Sequence, residues 1–131
     1  MYSLATNDKR LENVRENIQP HQRIGAVVQR LCFTFEIYEG KEAEYKKRHD
    51  EIWPELVTAI KDAGFKNYSL FRRGTQIVGY CEIVPDMATA FAKLGQHEAN
   101  ARWSKWFEDV IVNLTDNAGN LMVMQEVWHL D

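Results

Sequence analysis

The order of strand-like and helix-like segments is the feature that most limits the fold of this 131-residue chain. The stretch "RLCFTFEIY" alternates large apolar residues with smaller or polar ones, which is typical of a strand with one buried face. Strand patterns cover 30–38, 66–73, 75–84 and 121–130, and helical patterns cover 41–63, 87–94 and 98–114. The resulting order, β-α-β-β-α-β, predicts an α+β, ferredoxin-like fold with an antiparallel sheet and helices on one face.

The opposite face of this predicted sheet also carries large side chains. Tyr38, Tyr68, Tyr80 and Trp128 would lie in water if the chain were a monomer. A second copy of the same chain can cover them, so we expect a homodimer whose two sheets face each other as a dimeric α/β barrel.

Composition excludes several classes of function. The formal net charge of -3 argues against a nucleic-acid partner, since such partners require a basic field. No apolar run approaches the ~20 residues that span a bilayer, so no membrane partner is predicted. Cys32 and Cys81 lie in strand patterns without a disulfide-like spacing, which favours a reduced, cytoplasmic protein.

The chain divides into two parts by polarity. Residues 1–24 are polar, mixed in charge and poor in large apolar side chains, so they predict a flexible N-terminal extension. Residues 25–131 have the patterns and the length of a single domain.

The stretch "EYKKRHDEIWPEL" places ionisable groups on an apolar helix face. Tyr45 and His49 are four residues apart, so their side chains are neighbours on the stripe that continues to Leu56 and Ile60. Pro54 cannot donate a backbone hydrogen bond, and it predicts that the helix kinks or restarts there and opens a pocket near His49.

Two interpretations of His49 follow from the pattern alone. It is either a residue of a polar pocket or a core histidine satisfied by a backbone carbonyl, with Tyr45 packed beside it. A metal site is not predicted, because the other histidines have no ligand spacing to His49 and no cysteine pair is present. No cofactor is predicted either.

The same stretch resembles the L-rhamnose mutarotase family, and the resemblance covers residues 30–131. The matching features are Tyr45, His49, the run Ile-Trp-Pro-Glu at 52–55, Asn67-Tyr68, Glu82, Arg102-Trp103 and the terminal "QEVWHL". This resemblance implies the dimeric ferredoxin-like barrel and an isomerase that interconverts the α and β anomers of L-rhamnose or a related 6-deoxy hexose.

The resemblance also implies roles for individual residues. His49 matches the proton donor, and Tyr45 and Tyr68 match sugar-binding tyrosines. The tryptophan pair of the second helix is Trp103-Ser104 here, so Trp103 matches a sugar-binding position and Ser104 departs from the family at the other.

Several alternatives stay open at this point. Packing roles stay open for Tyr68 and Trp103. Glu55 and Glu82 are both candidates for the catalytic base, and each is equally compatible with a surface charge on a helix or a sheet. The scaffold also hosts cofactor-free monooxygenases, and a non-catalytic sugar-binding or regulatory module would share the same fold.

Overall fold

A computed structural model describes residues 23–24 and 28–131 of the chain. The predicted extension, residues 1–24, lies outside the described residues except for its last two. The strands are β1 Arg23–Ile24, β2 Val28–Ile37, β3 Phe65–Arg73, β4 Gln76–Ile83 and β5 Ile111–Asn113. The helices are α1 Glu42–Asp50, α2 Pro54–Ala63, α3 Met87–Gly95 and α4 Glu98–Trp106, followed by a 3₁₀ turn at Phe107–Asp109.

The sheet is antiparallel, and β4 lies between β2 and β3. The short strands β1 and β5 pair with β2. Backbone bonds from Thr34 N to the Met122 carbonyl (3.0 Å) and from Met124 N to the Cys32 carbonyl (2.8 Å) bring the C-terminal segment to β2 as well. The mixed α+β class predicted from the sequence is therefore confirmed.

The hydrophobic core lies between one face of the sheet and the helices. Alternate residues of β2 face this core, from Leu31 (1% exposed) to Ile37 (1%), as the alternating pattern predicted. In α2, the apolar stripe of Leu56, Ala59 and Ile60 is buried in the same cluster. Helix packing therefore covers this face, called the inner face below.

The helix predicted over 41–63 is two helices, separated by a break at residues 51–53. Trp53 is extended (φ -64°, ψ 131°), and Pro54 occupies the first turn of α2. The predicted restart at Pro54 is therefore confirmed. Proline fits the first turn of a helix because the backbone N–H that it lacks would have no partner within the helix there. Gly64 ends α2 in the left-handed region (φ 112°).

The helix predicted over 98–114 is too long. The α4 helix ends at Trp106, and residues 111–113 form β5 instead. The Arg48 guanidinium donates to the Trp106 carbonyl at 2.8 Å, while Val110 N donates to the Phe107 carbonyl. A tertiary contact thus binds the carbonyl that a continued helix would have offered to Val110.

The strand predicted over 121–130 is also shorter in the structure. Leu121 pairs with Thr115 and Val123 pairs with Phe33 through isolated antiparallel bridges, and residues 124–131 form no strand. The end of the chain is exposed, with Val127 at 89% and Trp128 at 73%.

The prediction for the opposite sheet face, called the outer face below, is partly wrong. Tyr68 lies on the inner face, where its ring packs against Phe33 and Phe65 at centroid distances of 6.4 and 6.3 Å. A register shift between Lys66 and Ser69 causes this difference. Tyr80 is half-buried on the outer face.

Candidate functional site

His49 lies in the last turn of α1, directly before the break that Pro54 imposes. Tyr45 is one turn earlier on the same face, and the two ring centroids are 4.4 Å apart. The imidazole also meets Trp103 and Phe107 edge to face, each at 5.3 Å. Helix α1 therefore holds His49 against an aromatic cluster that α4 and the 3₁₀ turn supply.

The hydrogen bonding of His49 defines which nitrogen is free to react. Its Nδ1 lies 2.9 Å from the Tyr45 carbonyl oxygen, and because a carbonyl only accepts, Nδ1 donates this bond. Nε2 is buried and has no hydrogen-bond partner among the described residues. In the neutral ring, Nε2 therefore carries a lone pair.

Burial lowers the pKa of His49 below its ordinary value of 6.5, although the bond to Tyr45 and the charge of Asp50 act in the opposite direction. The imidazole is thus neutral at pH 7. Leaving a buried acceptor without a donor costs roughly 1–3 kcal/mol, and such an atom in a native structure calls for a specific reason.

Two cavities border His49. The larger, of about 670 Å³, is lined by His49, the apolar side chains of Ile52, Val57, Ile60, Phe65 and Leu70, and the polar Lys61, Lys66, Asn67 and Tyr68. The smaller, of about 250 Å³, is lined by Tyr45, His49, Asp50 and residues 70–72. His49 and Leu70 are common to both, so His49 contributes to the wall of each cavity.

The predicted tyrosines lie on different sides of His49. Tyr68 lines the larger cavity and is half-buried. Tyr45 is 5% exposed, lines the smaller cavity and packs on Phe35 and Phe107. Tyr45 therefore packs directly on the imidazole, whereas Tyr68 shares with it the lining of the larger cavity.

Trp103 lies in the core, in agreement with the packing role that its helical stripe allowed. It is fully buried, and its ring packs against Phe107 (4.6 Å), His49 and Trp53 (5.2 Å). Its indole N–H is buried without a hydrogen-bond partner in the described part of the chain. Trp103 thus meets the site through His49 and is not among the residues lining either cavity.

The remaining position of the tryptophan pair is Ser104, which is half-buried in α4 and lines neither cavity. Trp106, one turn after Trp103, stacks on Trp53 at 5.4 Å and is 38% exposed. Arg48 covers Trp106 at 4.4 Å. Trp106 therefore lies at the exterior and packs on Trp103 (5.6 Å) and Phe107 (5.7 Å), the two rings that meet His49.

The two candidate carboxylates lie apart from His49. Glu55 pairs with Arg102 and is about half exposed, at 52%. Glu82 accepts hydrogen bonds from Asn67 and Tyr80, both at 2.9 Å, on the outer face. Asp50, which sequence reasoning missed, lines the smaller cavity with His49, but its carboxylate pairs with Lys46 at 2.9 Å.

Arg48 is a second residue that sequence reasoning missed. It is only 7% exposed and binds Glu44 (2.8 Å) and both carboxylate oxygens of Asp109 (3.0 and 3.1 Å). Because Arg48 is adjacent to His49, these bonds tie the catalytic candidate's helix to the end of α4. An arginine beside the motif on a helix rich in charge offered no sequence signal that it would be buried.

Within residues 23–24 and 28–131, no group of three or more His, Cys, Asp or Glu side chains has a geometry suited to a metal ion. In the same residues, no helix has the length and apolar character needed to cross a membrane.

Comparisons with known proteins agree in one family. The family model for L-rhamnose mutarotase matches residues 30–130. The L-rhamnose mutarotase of Oceanobacillus iheyensis is 34% identical over 106 residues, covering 79% of this chain and 100% of that protein. The L-rhamnose mutarotase of Lactiplantibacillus plantarum is 39% identical over 99 residues, covering 72% of this chain and 93% of that protein.

A solved structure shares the fold. The crystal structure of an L-rhamnose mutarotase from Formosa agariphila superposes with a TM-score of 0.62 and 24% identity. The match covers 79% of this chain and 99% of the other.

Proposed function

The chain belongs to the L-rhamnose mutarotase family, and we propose that it interconverts the α and β anomers of L-rhamnose by acid–base ring opening and closure. The observation that carries this proposal is the state of His49. Its imidazole is neutral and borders the larger cavity, and its Nε2 carries a buried lone pair that accepts no hydrogen bond from the described residues. The names of the relatives identify the sugar on which such a base would act.

The reaction needs proton transfers and no change of oxidation state. In ring opening, a base removes the proton of the anomeric hydroxyl, the bond from C1 to the ring oxygen breaks, and the ring oxygen takes up a proton from solvent to become the C5 hydroxyl. Rotation about the C1–C2 bond then presents the other face of the aldehyde, and the C5 hydroxyl attacks that face and returns its proton to solvent. An imidazole is suited to both directions near neutral pH.

His49 Nε2 is the atom proposed to carry the proton. It accepts the proton of the anomeric hydroxyl during opening, and the resulting imidazolium returns a proton to the carbonyl oxygen during closure. The bond from Nδ1–H to the Tyr45 carbonyl keeps the ring in the tautomer that this cycle requires. His49 is therefore the proton donor in the closing half of the reaction, which agrees with the role that the resemblance implied.

The sugar is proposed to bind in the larger cavity. The hydroxyl of Tyr68 would bind a sugar hydroxyl there, and Tyr45 would do so from the smaller space. The apolar wall of Ile52, Ile60 and Leu70 suits the 6-methyl group of a deoxy hexose.

Trp103 is retained as a proposed substrate contact with a changed role, whereas the substrate contact proposed for Ser104 rests on the family resemblance alone, since Ser104 lines neither cavity. A stacking platform needs an exposed ring face, and Trp103 is 0% exposed. Its unpartnered indole N–H is a better candidate, since a hydroxyl placed beside His49 could donate to Nε2 and accept from this group. Such a hydroxyl would satisfy two buried atoms at once.

We further infer the ferredoxin-like topology and a homodimer. The split β-α-β arrangement is supported by the order of the neighbouring strands, which is residues 121–124, β2, β4 and β3. On the outer face Phe71 is 62% exposed and Met124 is 41% exposed, and the nearby Trp128 is 73% exposed. Side chains of this size favour coverage by a second copy.

The proposal is tested by polarimetry of freshly dissolved crystalline α-L-rhamnose. We expect the approach to the equilibrium rotation to accelerate in proportion to protein concentration. Calorimetric binding of L-rhamnose without acceleration would favour a binding module. Oxygen consumption with a polycyclic phenol, again without acceleration, would favour a monooxygenase.

A further inference from the structure

Strand β3 contains an irregularity that decides which way Tyr68 points. Lys66 pairs with Glu82 and Ser69 pairs with Tyr80, so two residues of β3, Asn67 and Tyr68, lie opposite the single residue between Tyr80 and Glu82. This is a β-bulge, in which one extra residue reverses the alternation beyond it.

The reversal brings Tyr68 to the cavity. In a regular strand, Tyr68 would pair with Tyr80 and share its outer face, because paired residues point to the same side. With the bulge, Ser69 takes that position. Tyr68 instead packs on Phe33 and Phe65 at the inner face and lines the same cavity as His49.

Asn67 is the residue that bends the chain at this point. Its φ of 48° makes it the only non-glycine residue with positive φ in the described part of the chain. Asparagine adopts this region more readily than most residues do. Its side-chain amide donates to the Glu82 carboxylate at 2.9 Å, across the neighbouring strand β4.

Glu82 is held in place from its other side. The Tyr80 hydroxyl donates to the same Glu82 oxygen at 2.9 Å, and Arg30 donates to the Tyr80 hydroxyl at 3.2 Å. The bond from Asn67 is the largest of the contributions that lower the pKa of Glu82, so the carboxylate is ionised and accepts strongly. Asn67 thus binds an acceptor that β4 already positions.

We propose that the Asn67–Glu82 hydrogen bond positions Tyr68 for sugar binding, by fixing the bulge that turns this tyrosine into the cavity. The inference rests on the proposed function, because it assigns Tyr68 to the sugar. Glu82 is then a positioning residue on the outer face and acts on the substrate only through Asn67 and Tyr68. This role differs from the catalytic base that the sequence also allowed for Glu82.

The test compares variants by anomer exchange and by calorimetric binding of L-rhamnose. Glu82→Ala removes the acceptor of the Asn67 hydrogen bond. We expect KM and Kd to rise roughly 3- to 10-fold, which corresponds to the loss of about one hydrogen bond, and kcat to stay within about twofold of the wild type. Glu82→Gln keeps an oxygen that accepts from Asn67, so it should stay within about twofold of the wild type. Tyr80→Phe is the matched control, because it removes the other bond to the same oxygen and leaves Asn67 bound.

A double mutant separates positioning from general loss of structure. In a Tyr68→Phe background, Glu82→Ala should add little to KM, because the hydroxyl it positions is already absent. An equal rise in KM in both backgrounds would overturn the proposal, as would an unchanged KM and Kd in Glu82→Ala. Asn67→Gly, which permits the same φ without the amide, replaces Glu82→Ala if that variant does not fold, and should raise KM likewise.

The failure of the proposed function would look different. A wild-type protein that does not accelerate anomer exchange refutes the mutarotase activity whatever the variants do. The Kd values still test the positioning role, since they do not depend on turnover. Wild-type exchange combined with an unaltered Kd in Glu82→Ala refutes the positioning role alone.

Discussion

Replacing His49 with glutamine separates a catalytic histidine from a structural one. Glutamine retains a polar side chain of similar length but has no proton to exchange near neutral pH. General acid–base catalysis contributes ~10²–10⁴-fold to rate, so we expect His49→Gln to lose anomer exchange by roughly that factor.

The expected effect on stability is smaller and follows from the contacts of the ring. The His49→Gln variant loses the packing of the imidazole on Tyr45, at a centroid distance of 4.4 Å, and one hydrogen bond of 2.9 Å to a backbone carbonyl. An aromatic pair contributes about 0.5–1.5 kcal/mol to the free energy of unfolding, and a hydrogen bond contributes about 1 kcal/mol. Removing the buried, unsatisfied Nε2 offsets part of this loss. A net loss of about 1–2 kcal/mol lowers Tm by roughly 5–10 °C and leaves the variant folded at 25 °C.

The assay measures polarimetric exchange at 25 °C and thermal unfolding on the same preparation. His97→Asn is the control, because His97 is exposed and caps α4 by accepting from Ala99 N, and asparagine is also a favourable cap. Near-normal exchange by folded His49→Gln would refute the proposed proton transfer. A large fall in Tm with normal specific activity would identify His49 as a core residue.

Three further predictions address acid–base behaviour, Trp103 and the backbone. Because burial lowers the pKa of His49 and its neutral form is the base, exchange should fall as pH drops through a value below 6.5 and stay level from pH 7 to 8.5; a fall with rising pH contradicts this. Trp103→Phe keeps an aromatic ring but removes the indole N–H, which is proposed to bind the hydroxyl that donates to His49 Nε2, so kcat/KM should fall by about 2- to 10-fold; an unchanged kcat/KM refutes this contact. Gly64→Ala places a Cβ 1.8 Å from the Val84 carbonyl oxygen at φ 112° and should cost more than about 2 kcal/mol in denaturant unfolding, whereas Gly40→Ala, at φ 89° with open space around it, should cost about 1 kcal/mol. Equal losses in the two glycine variants would show that the clash has no effect.

Two local features near His49 could be predicted from the sequence: the helix face that it shares with Tyr45, and the restart of the helix at Pro54. The spacing of Tyr45 and His49 fixes their common face in any helix, and a proline without an N–H restarts the helix wherever it occurs. Both features depend on residues within one or two turns. Burial at His49, by contrast, depends on Trp103 and Phe107, more than 50 positions later in the sequence.

The position of Tyr68 shows where such reasoning fails. The stretch "KNYSLF" reads as a regular strand, and one bulged residue reverses its faces. The asparagine before Tyr68 is a weak hint, since this residue type tolerates positive φ, but its bond to Glu82 on β4 is a long-range contact. A pattern confined to one strand cannot contain that information.

The end of α4 was mispredicted for a similar reason. Trp103, Phe107 and Val110 continue a helical spacing, yet the chain leaves the helix after Trp106. The buried guanidinium of Arg48, from α1, binds the carbonyl at that point. The helical stripe allowed a packing role for Trp103, which the structure shows to be fully buried, while the sugar-binding role was implied only by the family resemblance.

Proton NMR saturation transfer on L-rhamnose at anomeric equilibrium tests the central claim most directly. Irradiating the H1 signal of one anomer reports exchange with the other without any net reaction. With wild-type protein we expect the second H1 signal to lose intensity in proportion to enzyme concentration, and with His49→Gln we expect no transfer above the protein-free sample. No transfer with the wild-type protein, or equal transfer with both, would contradict anomer exchange through His49.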